Sequence, residues 1–217
     1  MSDTDPPDTM PAPVPVTTIT DFFARDRVVD AARSAIGLEW PDPNYGLWCM
    51  PLGLYPDASR QGDARTLWTC LQHVLAVLRT AGVTAAELQR HLDGNGGMLA
   101  GWIEAIGERA GAIVPLDDAL ELEPADLVLI GGPAGGGALH GLVVTDLDGE
   151  TVVSSDGGQV DPHDGSRHCI AQRRRVLARK GSAWWLCDVD GQHSPQQPGT
   201  GRGVYRVIRG ASLPVAA

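Results

Sequence analysis

The 217-residue chain is 43% hydrophobic and carries a formal net charge of −10, long enough for one domain with its own core. Acid dominates residues 1–150, with 8 basic against 22 acidic side chains, whereas residues 151–217 hold 9 basic and 5 acidic ones. An acidic body argues against nucleic acid as substrate, and no run approaches the roughly 18 apolar residues that a membrane span needs.

Residues 1–18 are rich in Pro, Asp and Thr and lack apolar anchors, which predicts a disordered tail before a domain over residues 19–217. That tail has no basic segment followed by an apolar core, so no secretory signal is expected. A protein made in the cytoplasm without such a signal would work outside it only after release or dedicated export. Asp21 is placed to cap a helix running to about Ile36, with Phe22, Val29 and Ile36 on its inner side and Gly37 at its end. Leu38 to Asp63, full of Pro, Gly, Tyr and Trp, reads as a long irregular loop.

A strongly helical run follows. Leu67, Leu71, Val74, Leu75 and Leu78 recur at three and four residues, Thr66 is placed as N-cap, and Gly82 closes the segment. Thr84 can cap a short helix to His91, and Leu99 to Ala110 reads helical again. Then the period changes. Strands are expected over 126–130, 140–145, 151–156, 169–177, 183–189 and 204–208. Helices first and antiparallel strands afterwards make an α+β pattern.

Cys70 falls in the first turn of the second predicted helix. There the unpaired N–H groups and the positive end of the helix dipole favour the thiolate, the reactive form of cysteine. A histidine in reach would complete an activated nucleophile. A three-residue loop at Leu147-Asp148-Gly149 sets Asp146 opposite Glu150 and Thr145 opposite Thr151. Counted back, that register puts His140 directly opposite Asp156, close enough for the carboxylate to orient the imidazole. A two-residue Asp148-Gly149 turn would instead put the two side chains on opposite faces.

These residues carry a family resemblance. Trp68-Thr69-Cys70-Leu71-Gln72-His73-Val74-Leu75 resembles the nucleophile helix of CHAP-type and NlpC-type cysteine amidohydrolases. Pro124-Ala125-Asp126-Leu127-Val128 resembles their Pro-Gly-Asp-Leu-Val strand, with Ala125 in place of the usual glycine. His140-Gly141-Leu142-Val143-Val144 and Ser155-Asp156-Gly157-Gly158-Gln159 resemble the next two strands. The resemblance implies a papain-like fold, N-terminal helices packed on a mostly antiparallel sheet. It also implies hydrolysis of an amide bond in bacterial peptidoglycan, by a phage lysin or an exported effector. In that scheme Cys70 attacks, His140 moves the proton and Asp156 holds the imidazole, with no cofactor.

Several alternatives stay open. Gln159 is a second candidate for the third position. Cys49 also follows a tryptophan, but Pro51 argues against a long helix starting there. Tyr45, Tyr55, Gln61 and the Cys70 backbone N–H are candidate oxyanion donors. The same triad could serve a protease or deamidase toxin acting on a protein, with a neutralising partner protein, or the fold could be an inactive binding module.

Other groupings read as structural. The four cysteines (Cys49, Cys70, Cys169, Cys187) include no Cys-x-x-Cys pair, so reduced thiols and no zinc site are expected. Asp161, His163, His168 and Cys169 fit no zinc spacing and read as a polar loop. Asp146, Asp148 and Gly149 lack the remaining ligands of a calcium loop and read as a turn. Arg173, Arg174, Arg175, Arg179 and Lys180 read as a solvated strand face rather than a contact to an anionic polymer.

Overall fold

The apolar runs after residue 126 become strands, and the strands close on themselves. A computed structural model describes residues 19–39, 42–49, 69–88, 99–131, 138–160, 168–189 and 202–216. The helices are α1 (Ile19–Ser34), α2 (Pro43–Cys49), α3 (Thr69–Thr80) and α4 (Leu99–Ala110). The strands are β1 (Ile113–Val114), β2 (Leu127–Gly131), β3 (Ala138–Asp148), β4 (Thr151–Val160), β5 (His168–Lys180), β6 (Ala183–Asp188) and β7 (Arg202–Ile208).

The sheet order is β1-β7-β2-β3-β4-β5-β6, and β7 also pairs with β6. Every pairing is antiparallel. Strands β2 to β7 therefore form a closed six-stranded barrel, which overturns the expected papain-like arrangement of helices on a sheet. The physical reason lies in β7, which bonds β2 along Leu127↔Ile208 to Ile130↔Val204 and β6 through Trp185↔Gly203 and Leu186↔Arg202. Closure leaves no barrel edge unpaired.

Two cores follow from strand alternation. Leu127, Leu129, Val143 and Ile208 face outward into a cluster with the helices. Val128, Ile130, Leu142, Val144, Val152, Leu186 and Val207 form the second cluster, inside the barrel, with Leu120 and Leu122. Strand β2 is buried along its whole length for this reason.

Helix α3 is buried from Leu71 to Val77 and on to Leu78, not on one apolar face alone. It packs against β3, β4, α1, α2 and α4 and is the central helix. Helix α1 begins before Asp21, so that residue lies inside the helix, and Gly37 (φ 90°) ends the turn that follows it. The expected loop at 38–63 holds α2, whose first turn Asp42 caps by accepting the Asn44 N–H at 2.7 Å. The tail expected at residues 1–18 lies outside the described residues. Among the described residues no helix is long and apolar enough to cross a membrane.

Candidate active site

Cys70 is the second residue of α3 and is buried. Its depth against the barrel depends on Gly141, because a Cβ there would lie 2.9 Å from Leu71 Cδ2 and 3.1 Å from a Val74 methyl. The missing side chain lets the first turn of α3 settle on β3, beside His140. Burial disfavours ionisation of the Cys70 thiol. Hydrogen bonding to His140, the imidazole charge, and the Gly141 and Leu71 backbone N–H groups outweigh it and hold the thiol pKa below its ordinary value.

His140 Nε2–H donates to Asp156 Oδ2 at 2.7 Å, which leaves Nδ1 for the thiol. Burial pulls the imidazole pKa down. The hydrogen bond to Asp156, then the one to Cys70, then the two charges overcome that and raise it. A depressed thiol beside a raised imidazole is the signature of a thiolate–imidazolium pair.

The hairpin that joins these groups differs from the expected one. Asp148 pairs with Thr151, so the loop is the two residues Gly149 and Glu150, with Gly149 at φ 60° as a type II′ turn requires. That register alone would put His140 and Asp156 on opposite faces. Thr145 is an extra residue: Asp146 pairs with Val153, yet Val144 pairs with Ser154. The bulge moves the register by one and restores the parity. Asp156 then falls opposite Leu142, and His140 is its diagonal neighbour on the same face, not its direct partner. Thr145 Oγ1 donates to Val153 O at 3.3 Å, and Arg33 donates to the Thr145 carbonyl at 2.9 Å.

Asp156 is fully buried, and burial alone would keep it protonated. Arg175 prevents this. Its Nη1 donates to Asp156 Oδ1 at 3.0 Å and its Nη2 to Oδ2 at 2.8 Å. Ser154 Oγ–H donates to Oδ1 at 2.6 Å, and Arg175 Nη1 also donates to Ser154 Oγ at 2.8 Å. Opposing the burial, the Arg175 charge first and then the His140 interactions hold the carboxyl well below the usual range. Arg175 is 6% exposed, so the expectation of a solvated face fails at this residue. Arg175 pairs with Val152, whose face also carries Ser154 and Asp156. Arg174, on the other face, is exposed and pairs with Asp148 at 2.7 Å.

A second histidine stands close by. His73, one turn after Cys70, is fully buried, and its ring lies 6.1 Å from that of Trp48. Ser155 Oγ–H donates to the Ala32 carbonyl at 3.1 Å, so His73 Nε2–H must donate to Ser155 Oγ at 3.0 Å. Burial lowers its pKa to about 4, so this ring is neutral and structural at neutral pH.

The remaining candidates separate cleanly. Gln159 lies beyond a bulge in β4, and its amide donates to the Gly157 carbonyl at 3.2 Å. Cys49 is the last residue of α2, not the first turn of a helix. Tyr45 is buried in α2, which packs on α3. Tyr55, Gln61, Asp161 and His163 lie outside the described residues. His168 and Cys169 begin β5.

No family model, curated protein or solved structure matches the chain, so its chemistry is read from the Cys70, His140 and Asp156 geometry itself.

Proposed function

We propose that the chain is a cysteine-dependent hydrolase of an amide bond, with bacterial cell-wall peptide as its substrate. One observation carries the reading: a helix-N-terminal thiol, a buried imidazole and a buried carboxylate form one hydrogen-bonded series, with the thiol pKa shifted down and the imidazole pKa shifted up. The Cys70 thiolate attacks the amide carbonyl and the C–N bond breaks as the His140 proton passes to the leaving amine. Water, deprotonated by His140, then hydrolyses the thioester and restores the thiol. Asp156 keeps the imidazole oriented and supports its charge in both steps. The resemblance of the three sequence motifs to CHAP-type and NlpC-type enzymes supports the choice of peptidoglycan. The proposal rests on the site and that resemblance, not on a fold class.

The test is digestion of purified peptidoglycan by the full chain, with mass analysis of the released fragments. Wild type should release peptide fragments that identify the cleaved bond. Cys70→Ala should release none, and Cys49→Ser should retain most of the activity. Full activity in Cys70→Ala would refute the mechanism. An inert wild type whose Cys70 still alkylates rapidly at pH 6 would keep the thiol chemistry and reject the substrate.

A further inference from the structure

The series of charges does not end at Asp156. Arg175, from β5, turns its third nitrogen away from the carboxylate, and Nε forms an ion pair with Asp188 Oδ1 at 3.0 Å, from β6. Asp188 is mostly buried and also meets the half-exposed Arg173 at 3.4 Å. Signs therefore alternate along five side chains: Asp188, Arg175, Asp156, His140 and Cys70. Among the described residues, the other titratable groups in electrostatic contact with this series are His73 of α3, which is neutral, and, beside Asp188, Arg173 of β5 and Cys187 of β6.

A lone guanidinium clamped on Asp156 would defeat the purpose of that carboxylate. It would fix the oxygens but cancel their charge, and a cancelled carboxylate gives an imidazolium little support. Asp188 removes this conflict by neutralising the guanidinium from its far side. On the cysteine-hydrolase reading, we propose that Arg175 and Asp188 are positioning residues of the site. Arg175 grips both oxygens so that Oδ2 stays aimed at His140, and Asp188 balances the guanidinium so that the field of Asp156 still reaches the ring. The two roles, geometry and charge, fall on different residues.

The experiment reads site-resolved alkylation of Cys70 by iodoacetamide from pH 4 to 10, with peptidoglycan hydrolysis in parallel, on the full chain. Wild type is compared with Asp188→Asn and Arg175→Lys, each checked for folding by circular dichroism. Asp188→Asn removes a negative charge. It should move both limbs of the profile, thiolate formation and imidazolium loss, to lower pH by about half to one unit. Arg175→Lys keeps the charge but loses the fork. It should leave the limbs in place and lower the hydrolysis plateau about tenfold. A residue that only stabilised the fold would move neither limb. Folded Asp188→Asn with unmoved limbs, or Arg175→Lys with wild-type hydrolysis, overturns the assignment. If Arg175→Lys does not fold, the Asp188→Asn profile alone decides. A wild-type Cys70 that is inert below pH 7 would instead overturn the hydrolase reading itself.

Discussion

Two carboxylates in this barrel are equally hidden from water, and their environments drive them in opposite directions. Asp156 and Asp126 both have no exposed surface, and each faces an arginine. Asp156 is held well below the usual carboxylate range, whereas burial pushes Asp126 up to about 7. The difference lies in the donors. Arg175 is itself buried and meets both oxygens of Asp156, and Ser154 and His140 add two more hydrogen bonds. Arg209 meets Asp126 at one oxygen, 3.3 Å away and not aligned as a hydrogen bond. It is shared with the Glu123 carboxylate and the Glu121 carbonyl. Among the described residues the second Asp126 oxygen accepts only the Glu123 N–H, at 2.8 Å, and the Glu123 charge opposes ionisation. Burial sets the cost of a charge, and donor number and alignment decide whether the charge is kept.

The largest expected effect is on stability at neutral pH. Asp156→Asn leaves the buried Arg175 facing an amide and should cost about 3–5 kcal/mol in denaturant unfolding, with hydrolysis lost. Asp126→Asn removes a charge that the fold resists and should raise stability at neutral pH, by at most about 4 kcal/mol. Equal costs for the two variants would break the comparison.

The two acids should also separate by pH. Asp156 has a lowered folded value, so its contribution is fully present above the unfolded pKa near 3.8 and is lost as pH falls below it. Asp126 has a raised folded value. Its contribution is present below pH 3.8 and is lost as pH rises from 3.8 through about 7, at most about 4 kcal/mol. His73 acts in the opposite sense over part of that window. The unfolded imidazole takes a proton near 6.5 and the folded one only at about 4, so stability falls as pH drops between those values. Wild-type minus Asp126→Asn stability, measured from pH 4 to 7, should therefore decline with rising pH, and wild-type minus His73→Gln should rise. A flat difference for Asp126→Asn would show that Arg209 keeps the acid ionised throughout.

The better-paired acid was also the more legible one. Cys70, His140 and Asp156 could be placed from sequence because each sits on a strongly patterned element: a 3.6-period helix and two alternating strands. Their exact register could not. The loop at Gly149 and Glu150 moves the pairing three residues from the one a Leu147 loop gives, and the bulge at Thr145, an extra residue with no sequence mark of its own, takes back one of them and so restores the parity. Arg175 was hidden in a run of three arginines, because period two separates it from Arg174 but not from Arg173, and only its pairing with Val152 puts it on the face of Asp156. Barrel closure was invisible because it depends on Trp185↔Gly203 and Leu186↔Arg202, pairs joined across residues 190–201, which show no strand pattern. Helices preceding strands fit a helix-on-sheet layer equally well.

The smallest effect lies beside Asp126, and it concerns the residue where the resembled strand has glycine. Ala125 is the only described non-glycine residue with positive φ, at 80°. Its Cβ is crowded in that conformation, at a cost of about 1–2 kcal/mol. The strain persists because the surrounding bonds fix the corner. Ala125 N–H donates to the Val144 carbonyl at 2.8 Å, and the Val144 N–H donates to the Asp126 carbonyl at 2.8 Å. Gly210 also packs so closely that a Cβ there would lie 2.1 Å from the Ala125 carbonyl oxygen. Ala125→Gly should relieve the crowding but loosen the unfolded chain, which takes back about 0.5–1 kcal/mol. The net expectation is a gain of about 0.5–1 kcal/mol in unfolding free energy, with hydrolysis unchanged because the corner lies at the Asp126 end of the barrel. Gly210→Ala, forced against the same carbonyl, should destabilise. A destabilised Ala125→Gly would show that the corner holds no strain for glycine to release.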